Sequence, residues 1–284
     1  MSVDLLAARQ FILTNARLLD RRRAAVAFDG DATDTVVGVL RGYRNHDGGL
    51  GHALEPDIRS PRSETTAALH GLEVLAEVDA LDDPMVRDLT TWISGVSQPD
   101  GGVPFVLPSA AQYPHAPWMV AFEGGSHLTF GLAGVLAGAP VNSDWLDEAT
   151  RWCWQQLEEP NGINGYWLKF ALDFLDACPD GARAEATIQQ LHPMLSEDGS
   201  APVPGGTEDE KLTPLALSPR PGRRSRSLFT DDQVADDLDR LEQEQQDDGG
   251  WNFDFLGWCP AQSLEWRGLV TLQAITTLRA HDRL

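Results

Sequence analysis

The triplet Asp-Gly-Gly, each time followed by an apolar residue, occurs as Asp47-Gly48-Gly49-Leu50, Asp100-Gly101-Gly102-Val103 and Asp248-Gly249-Gly250-Trp251. Self-similarity of this kind marks a chain assembled from one supersecondary unit used repeatedly. The first two copies lie 53 positions apart and the third follows 148 positions later, close to three such periods. Two degenerate copies are therefore expected in the gap, and Asn161-Gly162 and Asp198-Gly199-Ser200 supply a turn-forming polar residue followed by glycine there.

The stretches that precede these turns have helical spacing. Leu89, Trp92, Ile93 and Val96 occupy one face of an amphipathic helix, as do Val36, Val37, Val39, Leu40 and Tyr43, while Val234, Leu238 and Leu241 follow the cap-like pair Asp231-Asp232. After the glycines the chain enters further helices, predicted over Ser63 to Leu75 and Glu265 to Leu278, apolar over a face broad enough to pack on two sides. Strand signals are scarce. The unit is thus helix, glycine turn, helix, with glycine supplying the positive backbone torsion that ends one helix. The predicted fold is all-α: one domain over residues 1–284, an α/α toroid of about five to six helix hairpins around a central cavity, with a linear solenoid as the rival. Residues 201–229, with five prolines and the run Arg220-Pro221-Gly222-Arg223-Arg224-Ser225-Arg226, are expected to form an irregular surface excursion.

Charge and cysteine usage narrow the partners. A net charge of −21 argues against nucleic acid, whose affinity comes from neutralising phosphates, and against an anionic membrane surface. Residues 1–23 carry Asp4, Arg9, Arg17, Asp20 and Arg21-Arg22-Arg23, with no apolar run suited to a signal peptide or membrane span, so a cytoplasmic location is expected. Cys153, Cys178 and Cys259 are scattered and odd in number, which predicts packing roles and neither a disulfide framework nor a structural zinc site. No Gly-x-Ser-x-Gly elbow or phosphate-binding glycine loop is present.

The string Leu241-Glu242-Gln243-Glu244-Gln245-Gln246-Asp247-Asp248-Gly249-Gly250-Trp251 resembles the Gln-x-x-x-Gly-x-Trp repeats of squalene and hopene cyclases, and is similar to the glycine turns of protein prenyltransferase β subunits. Both belong to the terpenoid-cyclase and prenyltransferase superfamily of α/α toroids. Asp47-Gly48-Gly49-Leu50-Gly51 with Leu54-Glu55-Pro56-Asp57, His115-Ala116-Pro117-Trp118 and Glu265-Trp266-Arg267-Gly268 resemble bacterial proteins labelled prenyltransferase-like, a label that implies no established reaction. The resemblance implies an acid-initiated, non-redox enzyme acting on an apolar isoprenoid. Class II cyclases carry an Asp-x-Asp-Asp-Thr acid motif. Asp29 to Thr35 approximates it in two frames, one with Asp31 as the acid and Ala32 in place of the last Asp, the other with Thr33 in the acid's place. Such chemistry clusters carboxylates against an apolar wall to raise one pKa, and lines the cavity with aromatic rings that stabilise a carbocation. Acidic residues beside a helix also serve as caps, so Asp29, Asp31 and Asp34 have a structural reading as well.

The family resemblance places the residues just past a glycine turn at the cavity mouth. Candidate catalytic residues are Asp31, Glu55, Asp57 and His115; candidate substrate-binding residues are His52, Trp118, Trp251, Phe253, Asp254, Trp258, Glu265 and Trp266, with Arg267 expected to reach a carboxylate such as Asp254. Surface ion pairing of Glu55 and Asp57, with Arg59 for one of them, and core packing of the aromatic cluster are the competing readings. Prenyltransferase β subunits follow their turn with an Asp-x-Cys pair and a later His as zinc ligands; Asp254 and Cys259 are too far apart and no His occurs between Asp248 and Leu278, so zinc is not expected. No cofactor is predicted, magnesium being called for only by a diphosphate substrate. Two alternatives carry weight beside a terpene-cyclase-like enzyme: a glycoside hydrolase or lyase on an (α/α) toroid, and a non-catalytic binding scaffold.

Overall fold

The computed structural model describes residues 3–208 and 210–284; Met1, Ser2 and Asp209, which fall in the amino-terminal and 201–229 segments discussed above, lie outside the described residues. In chain order the helices are α1 (Leu5–Asn15), α2 (Leu18–Asp29), α3 (Asp34–Leu40), α4 (Thr65–Glu77), α5 (Pro84–Val96), α6 (Leu128–Leu136), α7 (Asp144–Glu158), α8 (Gly165–Ala177), α9 (Gly181–Leu191), α10 (Pro214–Leu217), α11 (Asp231–Gln243) and α12 (Pro260–Ala280). Two short strands, β1 (Ala201–Pro202) and β2 (Lys211–Leu212), pair antiparallel with Ala201 opposite Leu212. The fold is all-α, as the helical spacing requires. No helix of the described residues is long and apolar enough to cross a membrane.

The chain forms two compact units, one of residues 1–32, 163–172 and 181–284, the other of residues 33–162 and 173–180. In the first, α1 lies along α12 and meets α2, burying Ala8, Ile12 and Ala16 with Leu272, Ile275 and Leu278 in a core that also takes Leu238 and Trp251. In the second, α6 packs between α4 and α7. Phe130 of α6 is fully buried and meets Trp152 edge-on at 5.7 Å and Phe174 at 5.9 Å.

Four turns are built alike. The residue two before the aspartate donates its N–H to the carbonyl two after it, as Asn45 to Gly49 (2.9 Å), Gln98 to Gly102 (2.7 Å), Ser196 to Ser200 (2.8 Å) and Gln246 to Gly250 (2.8 Å). The aspartate side chain accepts the N–H two residues on, at 2.9–3.1 Å in all four. The intervening glycine has φ of +91°, +92°, +78° or +89°, the left-handed region in which a Cβ is disfavoured. Asp198-Gly199-Ser200 is therefore a true copy, whereas Asn161-Gly162 falls in a 3-10 turn, Pro160–Gly162, of another kind. Partners differ from turn to turn: Asp47 accepts from Ser63 (2.7 Å) and the Trp92 indole (3.1 Å), Asp198 from Lys211 (2.6 Å), and Asp248 from both ends of the Arg267 guanidinium (2.8 Å each). Those hydrogen-bonded cations hold the Asp198 and Asp248 carboxyls below the usual range. The four aspartates are structural.

Several local expectations change. The cap of α11 is Thr230 in a capping box with Gln233, not Asp231-Asp232, which occupy the first turn. Helix α12 begins at Pro260, capped by the Cys259 sulfur, so Glu265 sits in its second turn and not at its start. The later part of the 201–229 segment is ordered by packing: Leu217, Ser218 and Ser225 are fully buried, and the two serine hydroxyls meet at 2.8 Å. Cys153 and Cys178 are buried, as packing cysteines, and burial pushes the Cys153 thiol well up.

Asp20 of α2 is fully buried between Arg17 and Arg23, each at 2.9 Å. Removing one member of a buried ionic group leaves the others uncompensated, at about 3–5 kcal/mol. Asp20→Asn is therefore expected to lose that much stability in urea unfolding; a loss below about 1 kcal/mol would show the group to be solvated.

Candidate functional site

The stretch that approximates a cyclase acid motif is a helix exit followed by a helix entry. Asp29 is the last residue of α2 and pairs with Arg9, Gly30 closes the helix with φ +71°, and Asp34 opens α3. Asp31 lies exposed between them. An acid that must protonate a hydrocarbon needs an apolar wall to hold its proton, and Asp31 lacks one.

Past the first turn, His52 and Ala53 both take positive φ (56° and 58°), which folds the chain back so that His52 Nε2 meets Asn45 Oδ1 at 3.0 Å on the surface. Asp57 is 3 % exposed and Glu55 half-buried. The Asp57 carbonyl accepts from the Ala116 N–H (2.8 Å), the Arg59 N–H donates to the Pro114 carbonyl (2.9 Å), and Ile58 bridges to His115. Residues far apart in sequence, Asp57 and His115, are thereby carried on two paired strands of loop. His115 Nδ1 lies 2.7 Å from the Tyr113 carbonyl, an arrangement that makes Nδ1 the protonated nitrogen and leaves Nε2 as the basic one in the neutral ring. Trp118, in the same loop, is exposed.

Beside this loop pair stands a residue that sequence reasoning misses. Glu64 immediately precedes α4 and is 2 % exposed. Its Oε2 accepts the Leu107 N–H at 3.1 Å and its Oε1 the Ser109 hydroxyl at 3.3 Å. The neighbouring Thr65 hydroxyl donates to the Phe105 carbonyl at 2.7 Å. Phe105 in turn stacks on Phe122 at 6.2 Å and tilts against His127 at 4.9 Å. Burial pushes the Glu64 carboxyl up from 4.5 to about 7, against the two hydrogen bonds that favour its anion. The only sequence signal is a Glu placed between Ser63 and two threonines at the head of an apolar helix, where a capping residue is expected.

The fourth turn gathers the other candidates. Phe253 and Phe255 lie 4.5 Å apart and Phe255 meets Trp266 edge-on at 5.2 Å, so these three rings form one group. Trp251 does not join them: it is 2 % exposed in the core, its indole donating to the Leu241 carbonyl at 2.7 Å. Trp258 is half-buried. Arg267 reaches Asp248 and lies over the Phe11 ring at 4.5 Å, rather than reaching Asp254 as the sequence suggests. Asp254 is exposed, and burial, and further the charge of Asp254, raise the Glu210 carboxyl. The Tyr166 side chain and the Thr207 N–H (3.1 Å) hydrogen-bond to Glu210. An open depression of about 560 Å³ nearby is lined by Gln243, Asp248, Asn252 and Arg267, all polar. Among the described residues no three His, Cys, Asp or Glu side chains converge as a metal site.

No family model matches the chain, and no curated protein matches it in sequence. Solved structures do match. The type II terpene cyclase MstE from Scytonema, without ligand, is 14% identical over 98% of this chain and 98% of its own, with a TM-score of 0.58. A variant of it in complex with merosterolic acid A, its product, is 13% identical over 98% and 96%, with a TM-score of 0.61. A protein from Actinoplanes is 17% identical over 96% and 89%, with a TM-score of 0.54. At these identities the likeness is one of fold, and the fold is that of the terpenoid-cyclase-like α/α toroids.

Proposed function

We propose that the protein is a terpene-cyclase-like enzyme that starts its reaction by protonating an apolar isoprenoid, with Glu64 as the proton source. The observation that carries this reading is the Glu64 carboxyl itself, 2 % exposed and titrating at about 7. A buried carboxylic acid that keeps about half its proton at neutrality is the reagent that acid-initiated cyclisation requires. The proton passes from the carboxyl to one alkene carbon, a C–H bond forms as the π bond breaks, and the cation adds to the next double bond. The Leu107 N–H and Ser109 hydroxyl then hold the carboxylate left behind. Phe105, whose carbonyl accepts from the neighbouring Thr65, carries a ring grouped with Phe122 and His127, and cation–π attraction to such rings would stabilise the migrating charge. His115, carried opposite Ile58 by the loop pairing, is the base that removes the final proton. The fold likeness to a type II terpene cyclase supports the same reading, since that enzyme is also seen with geranylgeranyl dihydroxybenzoate as substrate.

The reaction is an isomerisation, because the proton gained at the start is lost at the end. Incubation with geranylgeranyl dihydroxybenzoate or geranylgeranyl diphosphate in D2O, without added metal, is expected to give a cyclised product one mass unit heavier than the substrate. Recovery of both compounds unchanged, with no deuterium, would remove the enzyme reading and leave a binding scaffold.

A further inference from the structure

Helix α4 begins without a cap. Side chains from Asp4, Asp83, Thr230 and Cys259 close the first turns of α1, α5, α11 and α12, whereas α2, α3, α6 and α7, like α4, have no side-chain cap bond. At α4 the residue in that position is Glu64, whose side chain makes no cap bond and turns to Leu107 and Ser109 instead. Among the described residues no group accepts from the backbone N–H of Thr65, Thr66 or Ala67. These three residues are 0 %, 5 % and 2 % exposed. A helix start buried without acceptors leaves strong donors unsatisfied at the positive end of the dipole.

A second donor stands in the same turn. The Thr66 hydroxyl is buried and has no hydrogen-bond partner among the described residues. Elsewhere in the chain helical threonines satisfy their hydroxyls on the carbonyl four residues back, as Thr90 does on Val86 (2.8 Å), Thr187 on Arg183 (2.9 Å) and Thr276 on Leu272 (2.9 Å). Thr66 occupies the second helical position, where the carbonyl four back belongs to Arg62, outside the helix. A buried hydroxyl left unmatched costs about 1–3 kcal/mol, as does each unmatched amide. Such a set of donors is complete only with an oxygen acceptor that the chain does not supply.

We propose that the first turn of α4 is an oxyanion site, in which the N–H groups of Thr65, Thr66 and Ala67 and the Thr66 hydroxyl receive a phosphate or carboxylate group. Helix starts bind such groups through the same backbone donors and dipole. The neighbouring Glu64 does not oppose it, since burial keeps that carboxyl neutral up to about pH 7. In a chain of net charge −21 no long-range attraction gathers anions, so affinity rests on the local donors. The proposal needs no turnover and stands apart from the acid role of Glu64.

Calorimetric titration at pH 6.5 with inorganic phosphate, pyrophosphate and geranylgeranyl diphosphate tests it, with sodium chloride at matched ionic strength as the blank. Saturable binding of pyrophosphate is expected, weakened at least tenfold in Thr66→Val and retained in Thr66→Ser. Thr66→Val is also expected to melt no lower than the parent without ligand, because it removes an unmatched hydroxyl; Thr66→Ala provides the same comparison without a branched side chain. Equal affinity for phosphate and geranylgeranyl diphosphate would identify a site for a free anion, and tighter binding of the prenyl compound a site for its headgroup. No saturable binding of any of the three, or equal affinity in Thr66→Val and the parent, would overturn the proposal.

Discussion

Glu64→Gln is expected to reduce cyclisation at least about a thousandfold, within the range a positioned general acid supplies, while making the folded protein more stable above pH 7. The two effects have one cause. In the folded chain the carboxyl binds its proton up to about pH 7, whereas in the unfolded chain it releases it near 4.5. Between those values the native state holds more protons than the unfolded one, so stability falls as pH rises. Below about 4.5 both states are protonated and there is no penalty; above about 7 the full penalty applies, roughly 3 kcal/mol at 1.36 kcal/mol per unit. Glutamine keeps an oxygen for the Leu107 N–H and cannot ionise. The variant should therefore match the parent near pH 4 and exceed it by up to about 3 kcal/mol at pH 8, as read by urea unfolding at the two pH values. A stability difference that does not change with pH would mean that Glu64 ionises freely and has no proton to give. Loss of activity together with gained stability is the mark of a group retained for chemistry at the expense of the fold.

Gly249→Ala should be among the most damaging single-methyl changes in the chain. Gly249 has φ +89°, so an L side chain is strained there by about 1–2 kcal/mol before anything is touched. Its Cβ would also stand 2.4 Å from the carbonyl carbon and oxygen of Ala7, backbone of α1 that cannot rotate aside. Overpacking of that kind adds about 1–3 kcal/mol, giving a total of about 2–5 kcal/mol. Gly222→Ala separates the two effects, because Gly222 has φ +80° with open space around it. It should lose only the strain, about 1–2 kcal/mol. Equal losses in the two variants, measured by thermal or urea unfolding, would show that α1 shifts to make room.

What the sequence makes visible is what is local. The four turns are made by bonds within five residues, so their residue types recur in order, and the degenerate copy at Asp198 is recognisable because Ser200 still offers the N–H that the aspartate accepts. Helix faces are legible for the same reason. Glu64 is not, since nothing near it announces burial: its partners Leu107 and Ser109 arrive from 43 and 45 positions away. The pairing of Ile58 with His115 depends likewise on a loop contact with no sequence signature. Trp251 reads as cavity lining because a tryptophan after a glycine turn suits a wall as well as a core, and only its contact with the Leu241 carbonyl decides for the core. Asp31 misleads through its motif, which fixes residue types but not the apolar surroundings that an acid needs.

The pairing of α1 with α12 sets an order on biosynthesis. The N–H of Asp4 bonds to Gln245 and the two residues are 241 positions apart, so α1 leaves the ribosome long before the segment that covers it exists. At about 5–20 residues per second that interval is roughly 10–50 s. Throughout it the Ala8, Phe11 and Ile12 face of α1 lacks its α12 cover and has only α2 beside it, while most of the second unit, residues 33–162, is already complete and free to fold. Helix α1 thus waits for the helix that covers it until α12 is made, and for that time it is a segment that a chaperone can recognise.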